Sequence, residues 1–509
     1  MPGGKFAPDL ELPITLDRAA PASIYQQLCE QLRRAILDGR LSSGTRLPST
    51  RTLAQTLGVS RTVTSSAYDE LFAEGYLEGR HGSGTYVRKD LPPLPRLTRP
   101  APNSPPRWLR KASPLAREEP IPPQAIAFRL GIPSISSLPP RIWREAWGTV
   151  TAHLPPNSYG PTNGDPALRA ELAAYLGRSR GLACTPEDIL ITAGATHALD
   201  LIARATLSVG DYVGFEEPGY PSAQQIVLAR EGRILPVPVD DDGMQVERLP
   251  HGLAAPLLVY TTPSHQYPLG TRLAICRRLA LLTWAQANDS LIIEDDYDSE
   301  FRFDTSPLPA LASLDEAERV AYIGTFSKVL TPALRIGYLV APPRLCERIR
   351  QIKHLTDEQV CWPPQQMLAD FIARGHLDRH IRRMRHQYAQ KRHIVAQTLA
   401  PIAHLARLRG LEAGLHAYLE LGASVSATHV AHLAQQHNVI VTPLDAYYHG
   451  PPDRSGLLLG YASLEIPDII RGITVLMEII EQVAALSYSS GSPASSVQSS
   501  STSSKYPML

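Results

Sequence analysis

The chain has 509 residues, of which 43% are apolar and 19% charged, and its formal net charge is +1. This length exceeds one ordinary core, so two or more domains are expected, and the balanced charge excludes a globally basic protein built to bind nucleic acid or membrane. Five scattered cysteines, the lack of a basic-then-apolar leader and the lack of an apolar run of about 20 residues predict a cytoplasmic protein with no membrane partner and no metal site.

Composition divides the chain into four segments. Residues 89–125 are rich in proline, which prevents regular secondary structure, so this segment is predicted to be a stiff, extended linker. Residues 487–509 are rich in serine and have almost nothing to bury, which predicts a disordered tail. The two remaining segments, residues 20–88 and 126–486, are predicted to be folded domains.

The first domain shows the order helix, helix, glycine turn, helix and hairpin. Apolar residues from Ile24 to Ile36 recur at helical spacing behind a capping Ser23, and a second helix is expected after Pro48. A third helix is expected over Arg61–Glu74, capped by Ser60. Its buried stripe is predicted to comprise Val63, Ala67, Leu71 and Phe72. The runs "YLEGR" and "GTYV" predict a two-stranded hairpin, and the whole pattern is typical of a winged helix-turn-helix domain.

Basic and capping residues near the amino ends of the second and third helices are candidates for contacting DNA, because helix N-termini favour phosphate. The predicted DNA-binding residues are Arg46, Arg51, Ser60, Arg61 and Arg80. Residues 40–90 contain seven Lys and Arg against five Asp and Glu. This small surplus leaves a three-helix bundle with ordinary surface arginines as the alternative.

Three segments of this domain occur in order in a known family. The stretch from Gly39 to Val87, with "LPSTRTLA", "GVSRTV" and "GSGTYV", resembles the DNA-binding domain of GntR-type bacterial regulators. The resemblance implies that Arg51 and Arg61 contact double-stranded operator DNA.

The second domain alternates apolar runs with amphipathic segments, which predicts an α/β domain with a mostly parallel, buried sheet. The runs are "DILITAG", "DYVGFEEP", "LLVYTTPS", "SLIIEDD", "VAYIGTFSK" and "RIGYLVA". Sites in such sheets form at the strand ends. The residues that follow these runs are therefore the candidates for chemistry.

Residues at or just after the ends of four of these runs suit one cofactor. Taken singly, each has a structural explanation, such as a tight turn, a buried ion pair or a solvated lysine. Taken together they suit pyridoxal phosphate (PLP): Lys328 offers an amine for the aldehyde, Asp295 can keep the ring nitrogen protonated, and Tyr297 can bind the phenolic oxygen. The phosphate would be met by Ala195, Thr196, Thr325 and Arg335. Tyr220 would stack on the ring, with a core tyrosine as the alternative.

Six segments between about Phe128 and Val483 resemble fold-type I aminotransferases. They are "SYGPTNGDPALR", "AGATHAL", "EEPGYP", "TPSHQYPLG", "IEDDYDSEF" and "SKVLTPALRIG". The resemblance implies a large PLP-dependent transferase-like domain with a smaller C-terminal subdomain. It also implies that Lys328 is the Schiff-base lysine and that Tyr159 reaches the phosphate bound in the partner subunit.

The arrangement of a GntR-type DNA-binding domain joined by a linker to an aminotransferase-like domain is similar to that of MocR/GabR-type regulators. The resemblance implies a domain-swapped homodimer that regulates transcription and senses PLP or an amine or amino-acid ligand through an imine at Lys328. The alternative is an active PLP-dependent aminotransferase with an appended DNA-binding domain. A third possibility is a protein whose site no longer holds the cofactor.

Two positions depart from the aminotransferase pattern. Tyr267 in "HQYPLG" stands where aminotransferases carry an asparagine, a form that the regulators share. Leu458 in "SGLLLGYASL" stands where transaminases place an arginine that clamps the substrate carboxylate, and Arg454 lies four residues away. Because an apolar side chain cannot pair with a carboxylate, this position favours a sensor of PLP or of an amine over a transaminase.

Overall fold

The computed structural model describes residues 14–80, 83–91, 120–304 and 308–490. The chain divides into two compact units, residues 1–113 and 114–509. Residues 92–119, most of the predicted linker, and residues 491–509, most of the predicted tail, lie outside the described residues. No helix within the described ranges is long and apolar enough to cross a membrane.

The first unit is a winged helix-turn-helix, as the sequence predicts. Its helices are α1 (Ile24–Leu37), α2 (Thr50–Leu57) and α3 (Arg61–Ala73), and its strands β1 (Leu77–Arg80) and β2 (Gly84–Val87) pair antiparallel. Ser23, Ser49 and Ser60 cap the three helices, each accepting a hydrogen bond from a backbone N–H in the first turn. These caps satisfy amides that a helix start leaves without partners, which is why the boundaries could be predicted.

One predicted core residue of α3 is wrong. Phe72 is 36% exposed, whereas Tyr68 is buried and donates a 3.0 Å hydrogen bond from its hydroxyl to the Pro48 carbonyl. Successive helical residues are rotated by about 100°, so the residue after buried Leu71 leaves the inner face, whereas the one three positions before it stays on that face.

The second unit contains ten α-helices and fourteen strands within the described residues. The helices are α4 (Pro140–Thr151), α5 (Pro166–Arg180), α6 (Ala195–Thr206), α7 (Pro221–Ala229), α8 (Ile275–Ala287), α9 (Pro343–Thr356), α10 (Trp362–Ala373), α11 (His376–Leu399), α12 (Ala427–Gln436) and α13 (Ile466–Ser490). The strands are β3 (Ile126–Ala127), β4 (Ile189–Thr192), β5 (Tyr212–Glu217), β6 (Arg233–Asp240), β7 (Gly243–Met244), β8 (Leu258–Thr261), β9 (Leu291–Asp296), β10 (Val320–Thr325), β11 (Gly337–Val340), β12 (Ala406–Arg409), β13 (His416–Leu421), β14 (Val439–Ile440), β15 (Thr442–Pro443) and β16 (Gly456–Gly460).

The main sheet has eight strands in the order β4-β11-β10-β9-β8-β5-β6-β7. The strands from β10 to β6 in this order pair parallel, while β11 is antiparallel to both of its neighbours and β7 is antiparallel to β6. The predicted mostly parallel sheet is therefore confirmed. Parallel strands end at one edge, so the segments after β5, β8, β9 and β10 meet there.

A smaller antiparallel sheet, β12-β13-β16-β15, lies in the C-terminal part of the same unit. Its buried residues form a core with apolar side chains of α11, α12 and α13. Helix α13 ends at Ser490, so it includes residues 487–490, which the sequence assigned to the tail. Short strand β3 pairs parallel with β14 and brings the segment before Leu130 to this subdomain.

Candidate functional site

A cavity of about 160 Å³ opens where β9 and β10 end and α6 begins. It is lined by Ala195, Thr196, Tyr220, Tyr260, Tyr267, Asp295, Tyr297, Thr325, Ser327, Lys328, Pro332 and Arg335. The structure thus brings together every predicted cofactor residue except Tyr159. Tyr260, Ser327 and Pro332 were not predicted as site residues, although Tyr260 lies within a predicted strand and Ser327 and Pro332 lie in the segment "SKVLTPALRIG".

Asp295 lies near the end of β9 with one carboxylate oxygen engaged and the other free of partners. The Tyr260 hydroxyl donates a 2.7 Å hydrogen bond to Oδ2, whereas Oδ1 is buried without a hydrogen-bond partner. Burial raises the pKa of Asp295 to about 6, although the Tyr260 bond and the charge of Lys328 act in the opposite direction. A buried carboxylate with a spare oxygen can accept a hydrogen bond from a protonated ring nitrogen.

Lys328 follows β10 after two residues and is half-buried. Burial lowers the pKa of its amine, and the charges of Asp298 and Asp295 partly oppose this shift. A lowered pKa increases the neutral fraction, which is the nucleophilic form of an amine. Gly131 has φ of +66°, and a Cβ at this position would lie 2.6 Å from Nζ, so the glycine leaves the amine its space.

A candidate anion-binding site, called the anion seat below, lies beside Lys328. Helix α6 begins at Ala195 behind Gly194, so its first backbone amides have no partners within the helix. The Arg335 guanidinium is next to this turn and donates a 2.7 Å hydrogen bond from Nη2 to the Ala193 carbonyl. Thr325 and Ser327 add hydroxyls that are 3.1 Å apart. Free amides, hydroxyls and a guanidinium together form a seat for a phosphate.

Tyrosine rings form one wall of the cavity. The ring of Tyr267 meets those of Tyr220 and Tyr297 edge to face, with centroids 5.5 Å apart in both pairs. Its hydroxyl lies 3.4 Å from that of Tyr447. Tyr267 therefore contributes an aromatic ring to the cavity wall. Flat aromatic walls with a few polar groups suit a planar, partly apolar ligand.

A buried cluster of His265, Asp298 and His416, next to the cavity, was not predicted. His265 Nδ1 lies 3.0 Å from Asp298 Oδ2 and 3.0 Å from the Tyr297 hydroxyl, and the two imidazole rings have centroids 5.2 Å apart. Their donor atoms lie within 4.8 Å of one another, but hydrogen bonds to Asp298 and to the Pro268 carbonyl already engage one nitrogen of each ring. The sequence signal was the histidine of "HQYPLG", two residues before Tyr267.

Three residues that the sequence singled out lie away from the cavity lining. Tyr159 is 79% exposed. Leu458 is fully buried on β16 in an apolar cluster with Tyr418 and Leu444. Arg454 donates a 2.9 Å hydrogen bond from Nη2 to the Val239 carbonyl. Among the described residues that line the cavity, the cationic side chains are therefore Lys328 and Arg335.

The predicted DNA-binding residues all belong to the first unit. Arg46, Arg51, Arg61 and Arg80 are exposed, as is Ser60, whose Oγ accepts the helix-capping hydrogen bond from the Val63 amide. Arg46 lies against the start of β2, since a Cβ on Gly84 would be 3.2 Å from its Nε. Arg80 stacks on the Tyr86 ring at 4.5 Å and pairs with Glu78 at 2.9 Å. Arg51 and Arg61 make no such ion pair among the described residues.

Two family models match the two units. The model of the bacterial regulatory proteins of the gntR family matches residues 24–87, and the model of class I and II aminotransferases matches residues 131–455. The kynurenine aminotransferase of Pyrococcus horikoshii, solved in complex with PMP, superposes with a TM-score of 0.65 at 29% identity and covers 70% of this chain and 91% of that one. Class I and II aminotransferases typically bind PLP.

Two curated regulators match nearly the whole chain. The probable rhizopine catabolism regulatory protein MocR of Rhizobium meliloti is 38% identical over 473 residues, which are 91% of this chain and 95% of that protein. The pyridoxine biosynthesis transcriptional regulator PdxR of Corynebacterium glutamicum is 38% identical over 474 residues, 93% of this chain and 99% of that protein. This chain therefore belongs to the MocR-type transcriptional regulators, in which a GntR DNA-binding domain precedes a domain of the class I and II aminotransferases.

Proposed function

We propose that this regulator binds PLP at Lys328 and senses the concentration of that vitamer, which then changes how its GntR domain binds operator DNA. The single observation that carries the proposal is the composition of the cavity. An amine, a carboxylate with a free oxygen and an anion seat are placed around about 160 Å³ of space. These groups complement the aldehyde, the ring nitrogen and the phosphate of one molecule.

Each group of the cavity has a part in holding the vitamer. When bound, PLP supplies an aldehyde that a neutral amine attacks, and burial of Lys328 favours that neutral form. Asp295 Oδ1 would accept a hydrogen bond from the ring nitrogen. The first amides of α6, Thr325 and Arg335 would hold the phosphate. Tyr220 would pack on the ring, and Tyr297 would bind the phenolic oxygen.

The cations of the cavity favour PLP itself as the effector over an amino acid. An amino acid bound beside the cofactor needs a partner for its α-carboxylate. Lys328 serves the aldehyde and Arg335 serves the phosphate, so neither is left for that carboxylate. Leu458 lies in an apolar cluster and Arg454 bonds to a backbone carbonyl. The name of the Corynebacterium relative, a regulator of pyridoxine biosynthesis, agrees with a B6 vitamer as the signal.

On the DNA side, we propose that α3 enters the major groove of double-stranded operator DNA. Arg51 and Arg61, exposed at the amino ends of α2 and α3, would contact DNA, with Arg46, Ser60 and Arg80 near the backbone. We further propose a domain-swapped homodimer in which the exposed Tyr159 reaches the phosphate held by the partner. Because a ligand shifts an equilibrium only by its unequal affinity for two states, PLP must bind one dimer conformation more tightly.

The test measures the covalent attachment of PLP to Lys328 and the effect of PLP on DNA binding. Purified protein is mixed with PLP, and its absorbance at about 420 nm, where a lysine-bound PLP absorbs, is compared with that of Lys328→Ala. Borohydride treatment followed by peptide mass analysis locates the bond. Protection of the neighbouring promoter is then measured with PLP, with pyridoxamine phosphate and with amino acids. We expect a label on Lys328 and a change in protection with PLP alone.

Two outcomes would overturn the proposal. A protein that gains no absorbance at saturating PLP does not hold the vitamer. Identical promoter protection with and without bound PLP means that the vitamer is not the signal. Incubation with amino donors and a keto acid tests the alternative function, because many turnovers per site would identify a working aminotransferase.

A further inference from the structure

We infer that His265 is a positioning residue for the vitamer site: with Asp298 it holds the Tyr297 hydroxyl as a hydrogen-bond donor directed into the cavity. This inference rests on the proposed binding of PLP at Lys328. It assigns a role to the buried pair of His265 and Asp298, whose side chains do not line the cavity. The consequence is that His265 controls the proton affinity of the bound vitamer without contacting it.

The first step fixes where His265 carries its proton. Nδ1 lies 3.1 Å from Oδ1 and 3.0 Å from Oδ2 of Asp298. Burial raises the pKa of Asp298, and the charge and hydrogen bond of His265 oppose this shift. The ionised carboxylate has only acceptor sites, so Nδ1 is the donor in that form. The other nitrogen, Nε2, is buried without a hydrogen-bond partner, and a proton there would remain unsatisfied at a cost. The contacts therefore place a proton on Nδ1.

The second step fixes the direction of the Tyr297 proton. The tyrosine oxygen lies 3.0 Å from the same Nδ1, which has no free lone pair in this tautomer. Toward His265 the hydroxyl can therefore only accept. Burial raises the pKa of Tyr297 well above its usual value, so the hydroxyl keeps its proton. Since Tyr297 lines the cavity, that proton is available to the phenolic oxygen of a bound vitamer.

Packing keeps the His265 ring in this orientation. A Cβ on Gly414 would collide with Cε1 of His265 and with the Asp298 carboxylate, so the backbone lies directly against the pair. The centroid of the His416 ring lies 5.2 Å from that of His265, and His416 Nε2 donates a 3.0 Å hydrogen bond to the Pro268 carbonyl. Burial lowers the pKa of His416 to about 3, so this neighbour stays neutral near pH 7.

The other titratable groups around Tyr297 and His265 are charged or phenolic and belong to several elements. Asp295 and Asp296 lie on β9 and Asp298 in the turn after it, Lys328 follows β10, and Tyr267 follows β8. Glu216 is buried on β5. Each acts on Tyr297 or Asp298 at a distance or by ring contact, whereas His265 shares a hydrogen bond with both. Among these groups, only the effect of His265 on the proton affinity of the bound vitamer should therefore depend on the Tyr297 hydroxyl.

The expected effect is a shift in a spectral titration. A hydrogen-bond donor to the phenolic oxygen of the bound vitamer disperses the negative charge of that oxygen. The oxygen then binds the proton that it shares with the Lys328 nitrogen less tightly. Losing the donor should raise the pH midpoint of the absorbance at about 420 nm by about one unit, since a hydrogen bond to a charged group contributes roughly that much.

The experiment titrates the PLP-loaded full chain and its variants and uses a double-mutant cycle. We expect His265→Asn and Tyr297→Phe each to raise the midpoint by about one unit. The double variant should match Tyr297→Phe alone, because the histidine acts through that hydroxyl. His416→Gln is the matched control: it also removes a buried imidazole but no bond to Tyr297, and its midpoint should equal that of the wild type.

Three results would overturn the inference while leaving the proposed function intact. They are a wild-type midpoint for His265→Asn, additive shifts in the double variant, and an equal shift for His416→Gln. If His265→Asn does not fold, His265→Gln provides the same test, because it also removes the imidazole and matches the substitution of the His416→Gln control. If the wild type gains no absorbance with PLP, the proposed function fails and this inference fails with it.

Discussion

The hydroxyl of Tyr260 donates a 2.7 Å hydrogen bond to Oδ2 of Asp295 and leaves Oδ1 without a partner. The two residues lie on adjacent parallel strands, with Tyr260 opposite Ile293 in the register of β8 and β9. Asp295 is two residues further on, so its side chain points to the same face of the sheet. The strand register thus orients a carboxylate and reserves one oxygen for a ligand.

Replacing this carboxylate should weaken the binding of PLP. In Asp295→Asn the ring nitrogen loses its charged partner, and a charge-assisted hydrogen bond contributes about 1.5–3 kcal/mol, so we expect an affinity loss of about 10- to 150-fold. Absorbance titration with PLP measures it. Tyr260→Phe, which only removes the supporting hydrogen bond, should lose less. An Asp295→Asn variant with wild-type affinity would show that the ring nitrogen binds elsewhere.

Arg335 should distinguish phosphorylated from unphosphorylated vitamers. In Arg335→Met the phosphate loses its guanidinium, so the affinity for PLP should fall by about 100-fold while that for pyridoxal stays unchanged. Equilibrium titration with both compounds measures the difference. Arg454→Met is the control, because that guanidinium bonds to the Val239 carbonyl away from the cavity lining. An equal loss for both vitamers would place the phosphate away from Arg335.

Arg61 should contribute to DNA binding and not to vitamer binding. Arg61→Ala removes an exposed cation at the amino end of α3, so operator affinity should fall and the slope of affinity against salt should decrease by about one. Arg34→Ala is the matched control, since Arg34 is exposed on α1 and pairs with Glu30. Absorbance at about 420 nm with PLP should be unchanged in both variants. Loss of both activities in Arg61→Ala would contradict independent sites.

Glu294 should make the folded state less stable as pH rises. Its carboxylate is fully buried on β9 and accepts 2.8 Å hydrogen bonds from the amides of Leu311 and Ala312, and burial raises its pKa from 4.5 to about 7. The folded state therefore binds a proton that the unfolded state releases between these values. Its contribution to stability is present below pH 4.5 and is lost as the pH rises through 7.

The measurement compares Glu294→Gln with the wild type in urea unfolding at pH 5 and pH 8. The amide cannot ionise, so its hydrogen-bonding defect should lower stability by a similar amount at both pH values. The deficit of the variant relative to the wild type should therefore shrink by about 1–3 kcal/mol at the higher pH. A deficit that stays constant between the two pH values would mean that Glu294 titrates normally.

Local signals were sufficient for most of the elements. Capping serines, proline stops and glycine turns predicted the three helices of the first unit, because these residues satisfy or break backbone hydrogen bonds within a few positions. Phe72 was assigned to the wrong face of α3 because an apolar residue at the edge of the apolar stripe does not indicate where the neighbouring helix lies. The predicted strands of the main sheet were all found, since each is a continuous apolar run.

The sequence by itself determined which segments are strands and helices and which residues lie at or after the strand ends, including Lys328, Asp295 and Arg335. Only the tertiary structure decided that the Tyr260 hydroxyl bonds to Asp295, 35 residues away, and that His265 lies within hydrogen-bond distance of the Tyr297 hydroxyl, 32 residues away. It also decided that Leu458 packs in a core instead of facing a ligand. Such contacts depend on strand order and register, which are set by packing across the whole sheet and leave no local pattern in the chain.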